Sequence, residues 1–96
     1  MKDILKNLNK AFENKIRLGI MSALVVNDFM DFTTLKELLD CTDGNLASHL
    51  KSLENSGYIT FQKEFLDRKP HTNYAVTDAG KTAFVAHIKA IEQLLG

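Results

Sequence analysis

The hydrophobic pattern between residues 42 and 76 changes its period once, and this change constrains the fold more than any other feature of the chain. The first half carries leucines at helical spacing, and it lies between Thr42, a good N-cap, and Gly57, which can end a helix in the left-handed conformation. The second half alternates apolar and polar residues around a turn, as strands of a hairpin do. We therefore predict a helix over residues 43–56, strands over 58–65 and 72–76, and a turn over 66–70.

Helical patterns also fill the rest of the chain. Residues 3–11 and 13–26 carry apolar side chains at helical spacing, and the second of these stripes is wide enough to be the most buried. A third helix opens at Phe32, where Thr34 and Glu37 have the spacing of a capping box. Thr77 and Asp78 start a last helix that continues almost to Leu95.

Two helices joined near residues 40–42 and followed by a two-stranded hairpin describe a winged helix-turn-helix, a mainly α fold of the α+β type. In this fold the second helix can enter a DNA major groove, while the hairpin reaches the flanking backbone or minor groove. We expect one domain over residues 1–96, because the length suits one. It divides into an N-terminal helix (1–11), a winged-helix core (12–76) and a C-terminal helix (77–96).

The helix predicted over 43–56 has an unusual polar face opposite its leucines. Short polar residues fill it where solvated helices usually carry paired Glu and Lys, and Ser and Asn are poor helix formers. Asn can pair with adenine, Ser can contact several bases, and a glycine near the helix start lets a phosphate approach closely. The candidate DNA contacts on this helix are Gly44, Asn45, Ser48, His49, Lys51 and Ser52, with Asn55 on the same face. An ordinary solvated face is the alternative, and His49 could instead pack against the preceding helix.

The predicted turn of the hairpin carries two adjacent cations, Arg68 and Lys69, before Pro70. Such cations suit phosphate contact or a narrow minor groove. An ordinary charged turn is the alternative, but the position directly after the candidate recognition helix favours DNA.

These residues resemble a known family. The stretch Thr42–Ile59, the stretch Arg68–Lys81 and the segment Asn14–Met21 are similar to the recognition helix, wing and first core helix of MarR- and ArsR-like winged-helix regulators. The resemblance is strongest to short, stand-alone bacterial and archaeal winged helix DNA-binding domain proteins. It implies transcriptional regulation, usually repression, by a homodimer on a pseudo-palindromic site. By position it implies groove or phosphate contacts from Asn45, Ser48, His49, Lys51 and Ser52, and wing contacts from Arg68, Lys69 and Thr72. The chain departs from the family in the acids that dilute its positive charge: Asp43, Glu54, Glu64 and Asp67.

The two ends of the chain carry apolar stripes that one small core cannot easily cover. In the last helix the spacing is heptad-like, and exposed stripes of this kind mark partner surfaces. A two-fold dimer is the commonest solution, although both helices could instead fold onto their own core. The predicted interface residues are Ile4, Leu5, Leu8, Phe84, Ile88, Ile91 and Leu95.

Composition excludes several other classes of protein. No apolar run is long enough to cross a bilayer, and the single cysteine, Cys41, permits no internal disulfide, so we expect a cytoplasmic protein. Cys41 suits a small buried position, with a redox role as the alternative. The three histidines and this cysteine lack metal-ligand spacing, and catalytic motifs are missing, so we expect no cofactor, no metal and no enzymatic activity.

The formal net charge is zero, which counts mildly against nucleic-acid binding. The second hypothesis is therefore a winged-helix module for protein interaction or dimerisation without DNA. If a small-molecule effector exists, the crevice between the terminal helices and the DNA-binding part is its expected place.

Overall fold

The computed structural model describes the backbone of residues 1–96 and every side chain except that of Leu66. It has five α-helices, one 3₁₀ turn and a three-stranded sheet, a mostly helical α+β winged-helix fold as predicted. The elements are α1 (Lys2–Lys6), a 3₁₀ turn (Lys10–Phe12), α2 (Lys15–Val26), β1 (Met30–Asp31), α3 (Phe32–Leu39), α4 (Asp43–Asn55), β2 (Ile59–Leu66), β3 (Lys69–Val76) and α5 (Asp78–Leu94).

The core forms around α2, which lies against α3, α4 and α5. Burying these apolar side chains supplies most of the driving force for folding. The leucines of α4 are completely buried, as their spacing predicts, and so is the central stripe of α2. The largest side chains with almost no exposure are Phe12, Ile20, Met21, Leu24, Leu35, Leu46, Leu50 and Leu53. Cys41 is half-buried and packs against this cluster.

The helix-turn-helix is shaped by local capping. Thr42 caps α4 as predicted, accepting a hydrogen bond from the Asn45 N–H at 3.1 Å. The cap predicted for α3 is wrong, because Asp31 and not Thr34 occupies that position. The Asp31 carboxylate accepts from the Thr34 N–H at 2.7 Å, and this bond lowers the pKa of Asp31. A carboxylate satisfies a free N–H and also favours the positive end of the helix dipole.

The sheet is antiparallel, with strand order β1-β3-β2. Its first strand was not predicted, because two residues are too few to show a periodicity. Met30 pairs with Tyr74, and Asp31 with Asn73. The turn between β2 and β3 is shorter than predicted. It consists of Asp67 and Arg68, both with positive φ (52° and 65°), as in the two-residue turns that match the twist of a hairpin. Lys69 and Pro70 therefore belong to β3.

The N-terminal helix is shorter than the predicted range 3–11, since α1 ends at Lys6. Asn9 breaks it with three hydrogen bonds, to residues near and far. Its backbone N–H donates to Nδ1 of His87 (2.9 Å), its side-chain N–H donates to the Tyr58 hydroxyl (3.0 Å), and its side-chain oxygen accepts from the Ala11 N–H (2.9 Å).

The start of α5 is fastened to the end of α4. Thr77 caps α5 by accepting from the Gly80 N–H, and it donates its own hydroxyl to the Gly57 carbonyl at 2.7 Å. A Cβ at position 80 would overlap the carbonyl oxygen of Tyr58, so this close approach requires glycine. The C-terminal helix is thereby held in a definite direction relative to α4.

Within the part of the chain that the structure describes, no helix combines the length and the apolar character needed to span a bilayer.

Candidate nucleic-acid interface

The polar face of α4 is open to solvent. Five of its predicted contact residues are exposed, whereas the leucines on the other side are buried. The terminal helices therefore do not cover this face within the chain. The exposed set is Gly44, Asn45, Ser48, Lys51 and Ser52, with Asn55 beside them.

The first turn of α4 leaves room for an anion. A Cβ at Gly44 would meet no heavy atom within 4 Å, so nothing in the chain itself blocks an approach to this turn. Close by, Asp43 pairs with Lys36 of α3 at 2.8 Å, which offsets one of the acids that dilute the positive charge of this surface. Helix N-termini present free N–H groups and a positive dipole end to anions.

His49 is half-buried at the flank of this face, where α4 passes α2. Arg17 of α2 lies with Nη1 3.0 Å from His49 Nδ1, and its Nε donates to the Ala11 carbonyl at 2.7 Å. Arginine has no acceptor, so it is the donor to Nδ1, and the neutral imidazole carries its proton on Nε2. Burial lowers the pKa of His49, and the charge of Arg17 lowers it further. His49 thus presents a neutral N–H donor rather than a cation.

The wing carries its cations on and beside the turn. Arg68 occupies the turn itself, and Lys69 follows as the first residue of β3; both are exposed. Thr72, the other predicted wing contact, is half-buried and pairs across the hairpin with the exposed Lys63. Asp67 lies in the same turn, so the positive charge at the tip is partly offset.

Two basic residues near this surface, Arg17 and Lys63, were not predicted from the sequence. Arg17 lies 32 positions from His49, and their contact depends on how α2 crosses α4, so no local pattern indicates it. Lys63 could have been predicted, because it lies two residues from both Phe61 and Phe65 and so shares their face of β2. In the correct register it pairs with Thr72, a predicted wing contact.

The predicted dimer residues separate into two groups. Phe84 is only 7% exposed and packs edge-on against Phe12 with ring centroids 5.5 Å apart, so it belongs to the core of its own chain. Leu5 and Leu95 are exposed, and Ile4, Leu8, Ile88 and Ile91 are half-buried. Because α1 lies against α5, the two apolar stripes belong to neighbouring elements.

Comparisons with known proteins agree with this architecture. A family model described as a winged helix DNA-binding domain matches residues 16–95. An uncharacterised protein of Methanocaldococcus jannaschii is 36% identical over 85 residues, which cover 88% of this chain and 92% of that protein.

Solved structures give the same result. A transcriptional regulator homologue from Pyrococcus horikoshii OT3 is similar with a TM-score of 0.86 and 32% identity, covering 98% of this chain and 91% of that one. MepR of S. aureus, solved as a DNA complex, is similar in fold, with a TM-score of 0.78 and 16% identity over 99% of this chain and 78% of its own.

Proposed function

Because the chain belongs to the family of winged helix DNA-binding domains, we propose that it is a transcriptional regulator that binds specific duplex DNA sites as a homodimer and acts as a repressor. The proposal assigns α4 to the major groove and the β2–β3 wing to the flanking backbone or minor groove.

One observation carries this proposal. The Asn and Ser side chains on the polar face of α4 are all exposed, and the turn of the hairpin that follows α4 presents Arg68. Asn offers a donor and an acceptor to a base edge, and a serine hydroxyl can act as either. An exposed face with this chemistry suits base contacts, while the wing cations suit phosphates. MepR, which has the same fold, was solved in complex with DNA.

The homodimer is proposed from the uncovered side chains of the terminal helices and from the geometry of DNA. The exposed side chains of α1 and α5 offer an apolar surface that a second copy can cover. A two-fold axis through that surface would direct two α4 helices toward successive turns of one DNA face, and it predicts a pseudo-palindromic site.

The test is selection of bound duplexes from a random pool by the full chain, with protein mass measured in parallel. We expect a pseudo-palindromic site bound by two copies. If no duplex is enriched over the pool, the proposal is wrong, and a module for protein interaction takes its place.

Variants then separate base contacts from phosphate contacts. Asn45→Ala or Ser48→Ala should change the preferred sequence, costing about 1–3 kcal/mol at the affected base pair. Arg68→Ala or Lys69→Ala should weaken binding to all sequences and lower the salt slope of log K by about one for each cation removed. Lys89→Ala, which removes an exposed lysine of α5, is the matched control and should leave both properties unchanged. Equal behaviour of all five proteins would contradict the assigned roles.

A further inference from the structure

The wing has an apolar face whose outer part the core leaves uncovered. Directly paired residues of an antiparallel ladder lie on the same face of the sheet. One face of the wing therefore carries three side chains of β2 and the three of β3 that pair with them. They are Ile59 with Val76, Phe61 with Tyr74, and Phe65 with Pro70.

This face is buried at its base and bare toward the turn. Ile59 is 3% exposed, whereas Phe65 is 77% exposed. Phe61, between them, is backed by Tyr74 with ring centroids 6.3 Å apart. Tyr74 is half-buried against the core, and this burial raises its pKa. The row that is buried at Ile59 is thus exposed from Phe61 onward, and its last aromatic side chain is Phe65.

The surroundings of this face are cationic. Lys63 lies on it between the two phenylalanines, and Arg68 and Lys69 follow on and beside the turn, where Asp67 offsets part of this charge. An aromatic face flanked by three cations fits a partner with anionic edges and apolar surfaces between them. The minor groove of DNA has this chemistry, with phosphates along both edges and deoxyribose along the walls.

Dimensions decide which part of the wing meets the wall. The minor groove of B-DNA is about 6 Å wide. Two paired strands are already about 4.8 Å apart, and their side chains make the ladder wider than the groove. The turn can therefore enter the groove, while the ladder stays at its mouth. Phe65 and Pro70 form the second ladder pair from the turn, which places them at that mouth.

We propose that Phe65, with Pro70 opposite it, packs against the deoxyribose of one wall of the minor groove when the wing is bound. This inference rests on the proposed function and adds to it a contact that is apolar and independent of base sequence. A contact of this kind displaces no counterions from DNA, so it contributes affinity that salt does not weaken.

The test compares Phe65→Ala with Arg68→Ala on the selected duplex over a range of salt concentrations. Phe65→Ala should weaken binding roughly tenfold at every salt concentration, as expected for loss of apolar area from an interface. The slope of log K against log salt should stay that of the unchanged protein, whereas Arg68→Ala should lower it. Phe65→Leu should retain most of the affinity.

Phe29→Ala is the matched control. Phe29 is 63% exposed, and it lies on the opposite face of the sheet, beside Gln62 and His71. Its loss should leave DNA affinity unchanged. Because both phenylalanines are exposed, the melting temperatures of the two variants should match that of the unchanged protein.

The failures of the two proposals can be told apart. If the unchanged chain binds DNA and Phe65→Ala binds it equally well, this inference is wrong and the proposed function stands. A lower salt slope in Phe65→Ala would also overturn the inference, because Phe65 would then act by orienting the cations. A change in the number of chains in the oligomer would overturn it too, because Phe65 would then contact another chain. If the unchanged chain binds no duplex, both proposals are wrong.

Discussion

Arg17 joins two parts of the molecule through one side chain. Its Nε donates a hydrogen bond to the carbonyl of Ala11, just before α2, and its Nη1 donates one to Nδ1 of His49 on α4. The guanidinium therefore determines both the tautomer of His49 and the direction of its free Nε2–H, which points away from Arg17. A histidine held in this way donates a hydrogen bond at neutral pH without adding a charge.

Replacing Arg17 by Met should remove both hydrogen bonds and lower the free energy of unfolding by about 1–3 kcal/mol, since half-buried acceptors lose their donor. Urea unfolding measures the loss. Lys15→Met, an exposed change in the same helix, should cost little.

Nitrogen chemical shifts of His49 provide a second measurement on the same variant. We expect the Nε2–H form alone in the unchanged protein and a mixture of tautomers after Arg17→Met. A proton on Nδ1 in the unchanged protein would contradict the assignment.

At the scale of elements, the N-terminal segment is attached to α5 through His87. This ring is 3% exposed and packs edge-on against Phe12 with centroids 5.4 Å apart. Its Nδ1 accepts from the Asn9 N–H, which requires the neutral form. Burial lowers the pKa of His87, and the opposing effect of Glu13 is smaller.

The sign of the resulting pH dependence follows from linkage. The pKa of His87 is lower in the folded chain than in the unfolded one, so the unfolded chain takes up a proton first as pH falls below 6.5, the ordinary value for imidazole. Stability should therefore be full above that pH and decrease below it, until the folded form is also protonated. Urea unfolding at neutral pH and at about one unit below 6.5 measures the change.

His87→Gln offers the control, because an amide oxygen can still accept from Asn9 but does not titrate. The loss of stability in acid should become smaller in this variant. It should not vanish, since burial lowers the pKa of His49 in the same direction. An undiminished loss would show that His87 is not its source.

At the scale of the whole molecule, the proposed DNA-binding and dimer surfaces lie on different elements. The chain measures 53 × 25 × 21 Å, and its radius of gyration, 14.4 Å, exceeds the value of about 13 Å for a compact domain of this size. The wing and the terminal helices leave apolar side chains uncovered, among them Phe65 and Leu95. We infer that this shape is completed by DNA at the wing and by a second copy at the termini.

Charges placed on the terminal helices should separate the copies without unfolding them. Leu5 is 49% exposed and Leu95 is 85% exposed, so lysine at both positions is tolerated by the single chain but not by an apolar interface. Sedimentation of L5K/L95K should give the mass of one chain, 10.8 kDa, where the unchanged protein gives twice that. Leu38→Lys, on an exposed residue of α3, is the matched control and should remain a dimer. A monomeric unchanged protein would contradict the dimer directly.

Local interactions made much of this molecule predictable. The leucines of α4, its Thr42 cap and the Thr77 cap of α5 lie within a few residues of the groups they affect, so periodicity and spacing indicate them correctly. The polar face of α4 follows from the same helix, because burying one side exposes the other. The order of helices and hairpin then indicated the winged-helix fold.

Long-range contacts decided the rest. The end of α1 depends on bonds from Asn9 to residues 49 and 78 positions away, and β1 exists only because Tyr74 and Asn73 are there to pair with it. The spacing of α5 predicts Phe84 in the dimer interface, but its ring packs against Phe12 in the core of its own chain. A helical or alternating pattern states which side of an element is apolar, and only the packing of distant elements determines what that side contacts.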